Sequence, residues 1–263
     1  TRVTREVIET GRKLQVIARA GVGIDNVDVQ AATQRGIVVV NAPTANTMAA
    51  AEHTVAMMLA LARHIPQAHA NLSGGAWMRQ NFIGVELRNK TLGIIGLGNV
   101  GSEVARRVQG FRMKVIAYDP PIKEIIKKTK GVEYRELDDL LKESDFVTLH
   151  CPSTRETHHL IGKRELDLMK PTAILINTSR GPVVDEKALV FALRKGKIAG
   201  AGLDVFEREP KLSSGLSKLE NVVLLPHIGS ATLDTRGQMA VLAVKNAIPM
   251  VRGKRPKNIV NPE

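Results

Sequence analysis

The stretch from Lys90 to Pro120, KTLGIIGLGNVGSEVARRVQGFRMKVIAYDP, constrains the fold more than any other. An apolar run ending at Ile95 leads into Gly96, Gly98 and Gly101 at G-x-G-x-x-G spacing. Val100, Val104, Val108 and Phe111 then recur at helical spacing, and a second apolar run ends at Asp119. The spacing alone is a weak signal. An apolar strand before it and an amphipathic helix after it make it a strand–turn–helix–strand unit, which needs a parallel pair of strands.

Each glycine then has a physical task. Gly96 permits the tight turn, Gly98 lets the backbone approach a pyrophosphate at a helix N-terminus, and Gly101 lets helix and strand pack closely. Asp119, at the end of the second strand, is placed to hydrogen-bond both hydroxyls of a ribose. A carboxylate there repels a 2′-phosphate, so the expected cofactor is NAD rather than NADP.

The rest of the chain repeats the alternation. Strands are predicted at Thr91–Ile95, Lys114–Tyr118, Phe146–Leu149, Ala173–Asn177, Gly200–Asp204 and Val222–Leu225, with helices between them. The expected fold class is α/β, a doubly wound parallel sheet of the Rossmann type. Ahead of it lies a strand–helix–strand unit: Leu14–Ala18, Asp28–Arg35 and Ile37–Val40. A helix at Met48–Arg63 is apolar on more than one face, so it is buried or packs on another subunit. Asn71–Trp77 reads as a loop, and a last helix covers Leu233–Val251.

Three strand ends carry chemistry. AILINTSRGPVVD, from Ala173, places Arg180 where a buried strand meets a Gly-Pro turn. Arg is rarely buried without a partner, so an anion should meet it, and a guanidinium grips a carboxylate with two hydrogen bonds. AGLDVFEREP supplies Asp204 and Glu209, and LLPHIGSAT supplies His227. A His beside a carboxylate is an acid/base pair whose imidazolium is favoured. Singly these residues have ordinary readings, as a helix cap, a surface Glu and a structural His. Their convergence at the carboxyl edge of one sheet argues for a site. Cys151 ends another strand and reads as a small wall under the cofactor rather than a nucleophile, since no base stands beside it. His158 and His159 read as surface loop residues, and no spacing of His, Cys, Asp and Glu argues for a metal.

Composition narrows the partners. The 263 residues suffice for one large or two modest cores. One cysteine excludes an internal disulfide and fits a cytoplasmic protein. No apolar run reaches membrane-spanning length. Aromatic residues are 3% of the chain, too few for stacking platforms, and the basic cluster KEIIKKTK (123–130) has no DNA-binding motif around it, so nucleic acid is not an expected partner. The net charge of +12 suits a solvated basic surface or attraction of anionic ligands.

RAGVGIDNVD (Arg19–Asp28), GIIGLGNVG, NTSRGPVVDEKAL, GAGLDVFEREP and PHIGSAT, in this order, resemble the D-isomer-specific 2-hydroxyacid dehydrogenases across essentially the whole chain. VNAPTANTMAAAEHTVAMMLALAR and VRGKRPKNIVNP resemble most the branch that oxidises D-3-phosphoglycerate. The resemblance implies a nucleotide domain at 47–231 and a smaller α/β substrate domain at 1–46 and 232–263, whose first part in the family lies ahead of Thr1. It implies that Arg180 binds the substrate carboxylate, that His227 is the acid/base and that Glu209 pairs with it. Gly21, Val22 and Gly23 are similar to a loop whose N–H groups meet that carboxylate. Val22, Asn99, Val100, Cys151, Thr178, Ser179, Asp204, His227 and Gly229 match cofactor-contact positions. The implied reaction is NAD-dependent oxidation of D-3-phosphoglycerate to 3-phosphohydroxypyruvate, the first step of serine biosynthesis, in a homodimer or homotetramer. Hydroxypyruvate or glyoxylate reduction is the nearest alternative, and an NAD-sensing corepressor-like interaction protein is the alternative of another class.

Overall fold

The computed structural model describes residues 2–127 and 129–261. The chain divides into two compact units, one formed by residues up to Ala49 together with those from Ser230, the other by Ala50–Gly229.

The first unit holds α1 (Arg5–Thr10), β1 (Val16–Ala18), α2 (Val29–Gln34), β2 (Val38–Val40) and α10 (Leu233–Val251). Side-chain caps start three of these helices: Thr4, Asp28 and Thr232 accept the N–H groups of Val7, Ala31 and Thr235. β1 and β2 pair in parallel, Ile17 opposite Val39. Ile8, Ile17, Val27, Ala31, Ala32, Ile37 and Val39 form the core between helices and strands. The first strand is shorter than its apolar run suggests. Leu14 N–H donates to the Gly11 carbonyl, so Leu14 closes a turn instead.

In the second unit α3 (Thr47–Ala62, from Ala50 on) and α4 (Ile65–Ser73) precede the sheet. Then follow β3 (Thr91–Ile95), α5 (Asn99–Val108), β4 (Lys114–Tyr118), α6 (Lys123–Ile126), β5 (Glu133–Tyr134), α7 (Leu137–Glu143), β6 (Phe146–Leu149), α8 (Lys163–Leu168), β7 (Ile174–Asn177), α9 (Glu186–Arg194), β8 (Gly200–Leu203) and β9 (Val222–Leu224). All seven strands are parallel, in the order β5-β4-β3-β6-β7-β8-β9. The chain winds outward from β3 to β5, then returns to β6 and winds the other way. The carboxyl ends of β3 and β6 therefore flank the switch point where ligands bind in such sheets.

Both faces of the sheet are covered. Ile95, Leu149, Leu175 and Leu203 belong to one core cluster, and Leu92, Ile94, Phe146 and Ile176 to the other. Strands apolar on both faces read as unbroken apolar runs, which is why their positions were visible in the sequence. α4 was not expected. It extends through Asn71–Ser73, part of the predicted loop, and Gly74 ends it. The two-residue β5 was also not expected. Of the basic cluster, Lys123 to Ile126 form α6, while Lys128 lies outside the described residues. No helix among the described residues is long and apolar enough to cross a membrane.

Candidate active site

The glycine loop joins β3 to α5. Gly96 has φ +92°, and a side chain there would press a Cβ to 2.7 Å from the Cys151 nitrogen. Only glycine fits that turn and that approach to the end of β6. A Cβ at Gly101 would meet the Gly96 carbonyl oxygen at 2.1 Å, whereas one at Gly98 would meet nothing within 4 Å. Gly98 caps α5 without a side-chain hydrogen bond, and no acidic residue stands in the first turn. The N–H groups at this helix start, from Asn99, Val100 and Gly101, thus face an open cradle with the positive end of the helix behind it. That is the environment a pyrophosphate requires, and these residues fit NAD. Asp119 follows β4 as expected from its spacing. Its Oδ2 accepts the Leu97 N–H at 2.9 Å, which ties the carboxylate to the rim of the loop.

Cys151 is buried at the neighbouring strand end, and burial pushes its thiol up to about 11. It is held protonated, a wall rather than a nucleophile. Beside it His150 lies 3.0 Å from the Thr148 hydroxyl, and burial pushes its pKa down to about 3, which keeps the ring neutral.

The end of β7 presents Arg180. Asn177, buried at 1% exposure, shapes this turn. Its Oδ1 accepts the Ser179 N–H at 3.0 Å and the Ser179 hydroxyl at 2.9 Å, and its amide donates to the Arg180 carbonyl at 2.9 Å. The Thr178 hydroxyl is 2.9 Å from that of Thr54 on α3. Arg180 itself is half-buried and donates from Nη1 to the Ser179 carbonyl at 2.6 Å. The charge at the end of a buried strand thus stands at the edge of the sheet, where a ligand anion can reach it.

Glu209 and His227 come together from the ends of β8 and β9. The Nδ1 of His227 lies 3.0 Å from Glu209 Oε2. Glu209 Oε1 accepts the Phe206 N–H at 3.2 Å. Beside a carboxylate Nδ1 carries the proton, so Nε2 is left to take or give one. Both side chains are partly exposed, at 49% and 40%. They border a cavity of about 300 Å³ that is otherwise lined by Phe206, Pro210, Leu212, Leu224, Leu225 and Pro226. His227 has φ +54°, and buried Asp204 anchors the strained turn. Its two oxygens accept the N–H groups of Ile228 and Gly229 at 2.8 and 2.7 Å.

Gly21, Val22 and Gly23 lie in the first unit, between β1 and α2. Asn41 donates to the Val22 carbonyl at 2.8 Å, and the Val22 side chain is exposed. The other proposed site residues lie at or shortly after carboxyl ends of strands in the second unit, save Gly101, Asn99 and Val100 in the helix start beside them, while His158 and His159 lie in the loop between β6 and α8.

Several participants carried no sequence signal. The Nε2 of His53, on α3, is buried without a hydrogen bond, 3.4 Å from Asp204 Oδ1. His159 is not a free surface residue: its Nε2 lies 2.6 Å from Glu207 Oε1. Glu186 is buried at 2% exposure. Such partners could be inferred only from the rarity of a buried carboxylate, because each meets its counterpart across at least twenty residues of sequence. No group of three or more His, Cys, Asp or Glu among the described residues could hold a metal ion.

Comparison with known proteins places the whole fold among relatives. The family described as "D-isomer specific 2-hydroxyacid dehydrogenase, NAD binding domain" matches residues 55–229. A glyoxylate reductase of Thermococcus litoralis is 50% identical over 267 aligned residues, which cover 99% of this chain and 81% of that protein. A D-3-phosphoglycerate dehydrogenase of Methanocaldococcus jannaschii is 48% identical over 262, covering 99% of this chain and 50% of that one. The chain thus spans about half the length of that dehydrogenase. Among solved structures, an NADPH-dependent glyoxylate/hydroxypyruvate reductase from Sinorhizobium meliloti, in complex with NADP and malonate, superposes with a TM-score of 0.89 at 35% identity, covering 98% of this chain and 81% of that one.

Proposed function

We propose that this chain, which belongs to the D-isomer specific 2-hydroxyacid dehydrogenases, interconverts D-3-phosphoglycerate and 3-phosphohydroxypyruvate with NAD, a reaction that opens serine biosynthesis. The observation that carries the acid/base reading is the 3.0 Å contact between His227 Nδ1 and Glu209 Oε2 at the carboxyl edge of a nucleotide-binding sheet.

Bound NAD supplies the redox chemistry, as hydride acceptor in one direction and donor in the other. The glycine loop and the α5 N-terminus hold its pyrophosphate, and Asp119 takes the ribose hydroxyls. Asp204, Thr178, Ser179, Cys151 and Gly229 would contribute further contacts to the cofactor. Arg180 grips the substrate carboxylate with two hydrogen bonds and so aligns C2, and alignment of this kind supplies much of the rate. His227 Nε2 removes the hydroxyl proton as C2 is oxidised and returns it in the reverse direction. Glu209 fixes the tautomer and stabilises the imidazolium.

The phosphorylated substrate is supported by the resemblance of the 40–63 and 251–262 segments and by the +12 charge, which favours a dianion. Glyoxylate or hydroxypyruvate reduction is the second reading. It is favoured by the match to glyoxylate reductases, of which the chain spans four fifths. A homodimer through the Met48–Arg63 helix and the Trp77 loop, which the family resemblance implies, belongs to the same proposal, and the exposed Trp77 and the exposed Ile65 and Leu72 of α4 just after that helix support it.

The deciding experiment is NADH oxidation with 3-phosphohydroxypyruvate, hydroxypyruvate and glyoxylate side by side. A preference of about tenfold or more in kcat/KM for the phosphorylated acid, about 1.4 kcal/mol, is expected. Equal or better turnover of the other two would transfer the protein to the second reading. NADH binding without turnover of any would favour an NAD-sensing interaction protein.

A further inference from the structure

A buried carboxylate is costly unless hydrogen-bonded, and Glu186 is a buried carboxylate that the dehydrogenase chemistry does not use. It opens α9, directly after the turn that carries Arg180, and Asp185 caps the helix start by accepting the Ala188 N–H. Its two oxygens reach across to one loop. Oε1 accepts the Glu207 N–H at 2.6 Å and Oε2 accepts the Ser213 N–H at 3.2 Å. These are the two ends of the segment 207–213, and Glu209 lies between them.

The fastening is reciprocal. Glu207 Oε2 accepts the N–H of Glu186 at 3.3 Å, and Glu207 Oε1 is held by His159 at 2.6 Å. The backbones also touch. A Cβ at Gly181, the residue after Arg180, would lie 1.9 Å from the Phe206 carbonyl carbon. Phe206, next to the anchored Glu207, donates to Glu209 Oε1, which leaves Oε2 facing His227. The start of α9, the Arg180 turn and the Glu209 loop are thus one hydrogen-bonded assembly.

We infer that Glu186 is a positioning residue that clamps both ends of the 207–213 loop and so fixes the Glu209 carboxylate against His227, in register with the Arg180 turn. This rests on the reading of Glu209 and His227 as the acid/base pair. A carboxylate suits the task because one group can accept from two backbone donors at once. An amide of the same shape would turn a donor toward one of them.

The test is a double-mutant cycle in the full chain: Glu186→Gln, Glu209→Gln and both together, read as kcat, KM and NADH affinity with the best of the three oxo acids. Glu186→Gln should lower kcat about tenfold or more, with NADH affinity within about twofold. In the Glu209→Gln background it should cost about twofold or less, because its only route to the chemistry is already gone. Hydrogen exchange at the 206–213 amides should rise in Glu186→Gln. Should the buried substitution prevent folding, Glu207→Gln loosens the same clamp with the Glu186 charge in place, and a smaller kcat loss in the same direction is expected. Multiplicative losses in the double variant, or a loosened loop with unchanged kcat, would overturn the inference. Absence of turnover in the unaltered protein would instead sink the dehydrogenase reading, and the exchange measurement would still decide whether Glu186 holds the loop.

Discussion

One methyl group separates the two glycines that differ most in what they do. At Gly101 a Cβ would strike the Gly96 carbonyl oxygen, so backbone must move, and Gly101→Ala should cost about 1–3 kcal/mol of stability. At Gly98 the same methyl meets no protein atom and φ is −71°, so Gly98→Ala should stay within about 0.5 kcal/mol. Its methyl instead enters the space where a pyrophosphate must approach, and NADH affinity should fall by about tenfold or more. Thermal melts and NADH titrations of both variants check this. A Gly98→Ala protein that binds NADH normally would remove the cradle from the account. At this scale the sequence exposed the residues of the proposed site but not their supports. Arg180, Glu209 and His227 could be singled out because each follows an apolar strand. Asn177, His53, Glu207 and Glu186 could not, since their roles arise from contacts made across the fold. His159 read as a loop residue because nothing nearby in sequence shows the carboxylate 48 residues on that it meets.

Among the elements, six of the seven strands of the large sheet were placed to within a residue, while β5 was missed and β1 is two residues shorter than its apolar run. A strand buried on both faces needs an unbroken apolar run, and β3 and β4 each carry one, Leu92–Ile95 and Val115–Ala117. α4 escaped for the opposite reason. None of its residues is buried, so no core-facing stripe marked it, and Gly74 with Gly75 made its end look like a loop. Its apolar side chains have no core to cover. Ile65 and Leu72 stand more than half exposed, and Trp77, Met78 and Ile83, close after them in sequence, are exposed as well. Large apolar side chains left in water suit an interface, and in the proposed homodimer a second copy covers them. Sedimentation velocity at micromolar concentration should give a dimer, and Trp77→Glu should shift it toward monomer. A monomeric unaltered protein would contradict the assignment.

At the scale of the whole molecule, the larger unit is organised around one edge of one sheet. All seven strands of the order β5-β4-β3-β6-β7-β8-β9 are parallel, so their carboxyl ends lie on the same side, and six of them, those of β3, β4, β6, β7, β8 and β9, each deliver a residue of the proposed machinery. Alternating strand and helix patterns made this winding readable, because parallel strands need crossovers and crossovers have one hand. The pairing of the last three strand ends into an acid/base dyad with an anion-gripping Arg is the central claim, and His227 is its most exposed point. The most direct measurement is steady-state NADH oxidation by His227→Asn beside the unaltered protein, with NADH affinity measured in both. The account predicts kcat lower by about 10²–10⁴-fold, the usual worth of a general acid/base, with NADH affinity changed by less than about threefold. A His227→Asn protein that keeps more than about a tenth of the kcat would show that the proton is moved by another group, and the assignment of the dyad would fall.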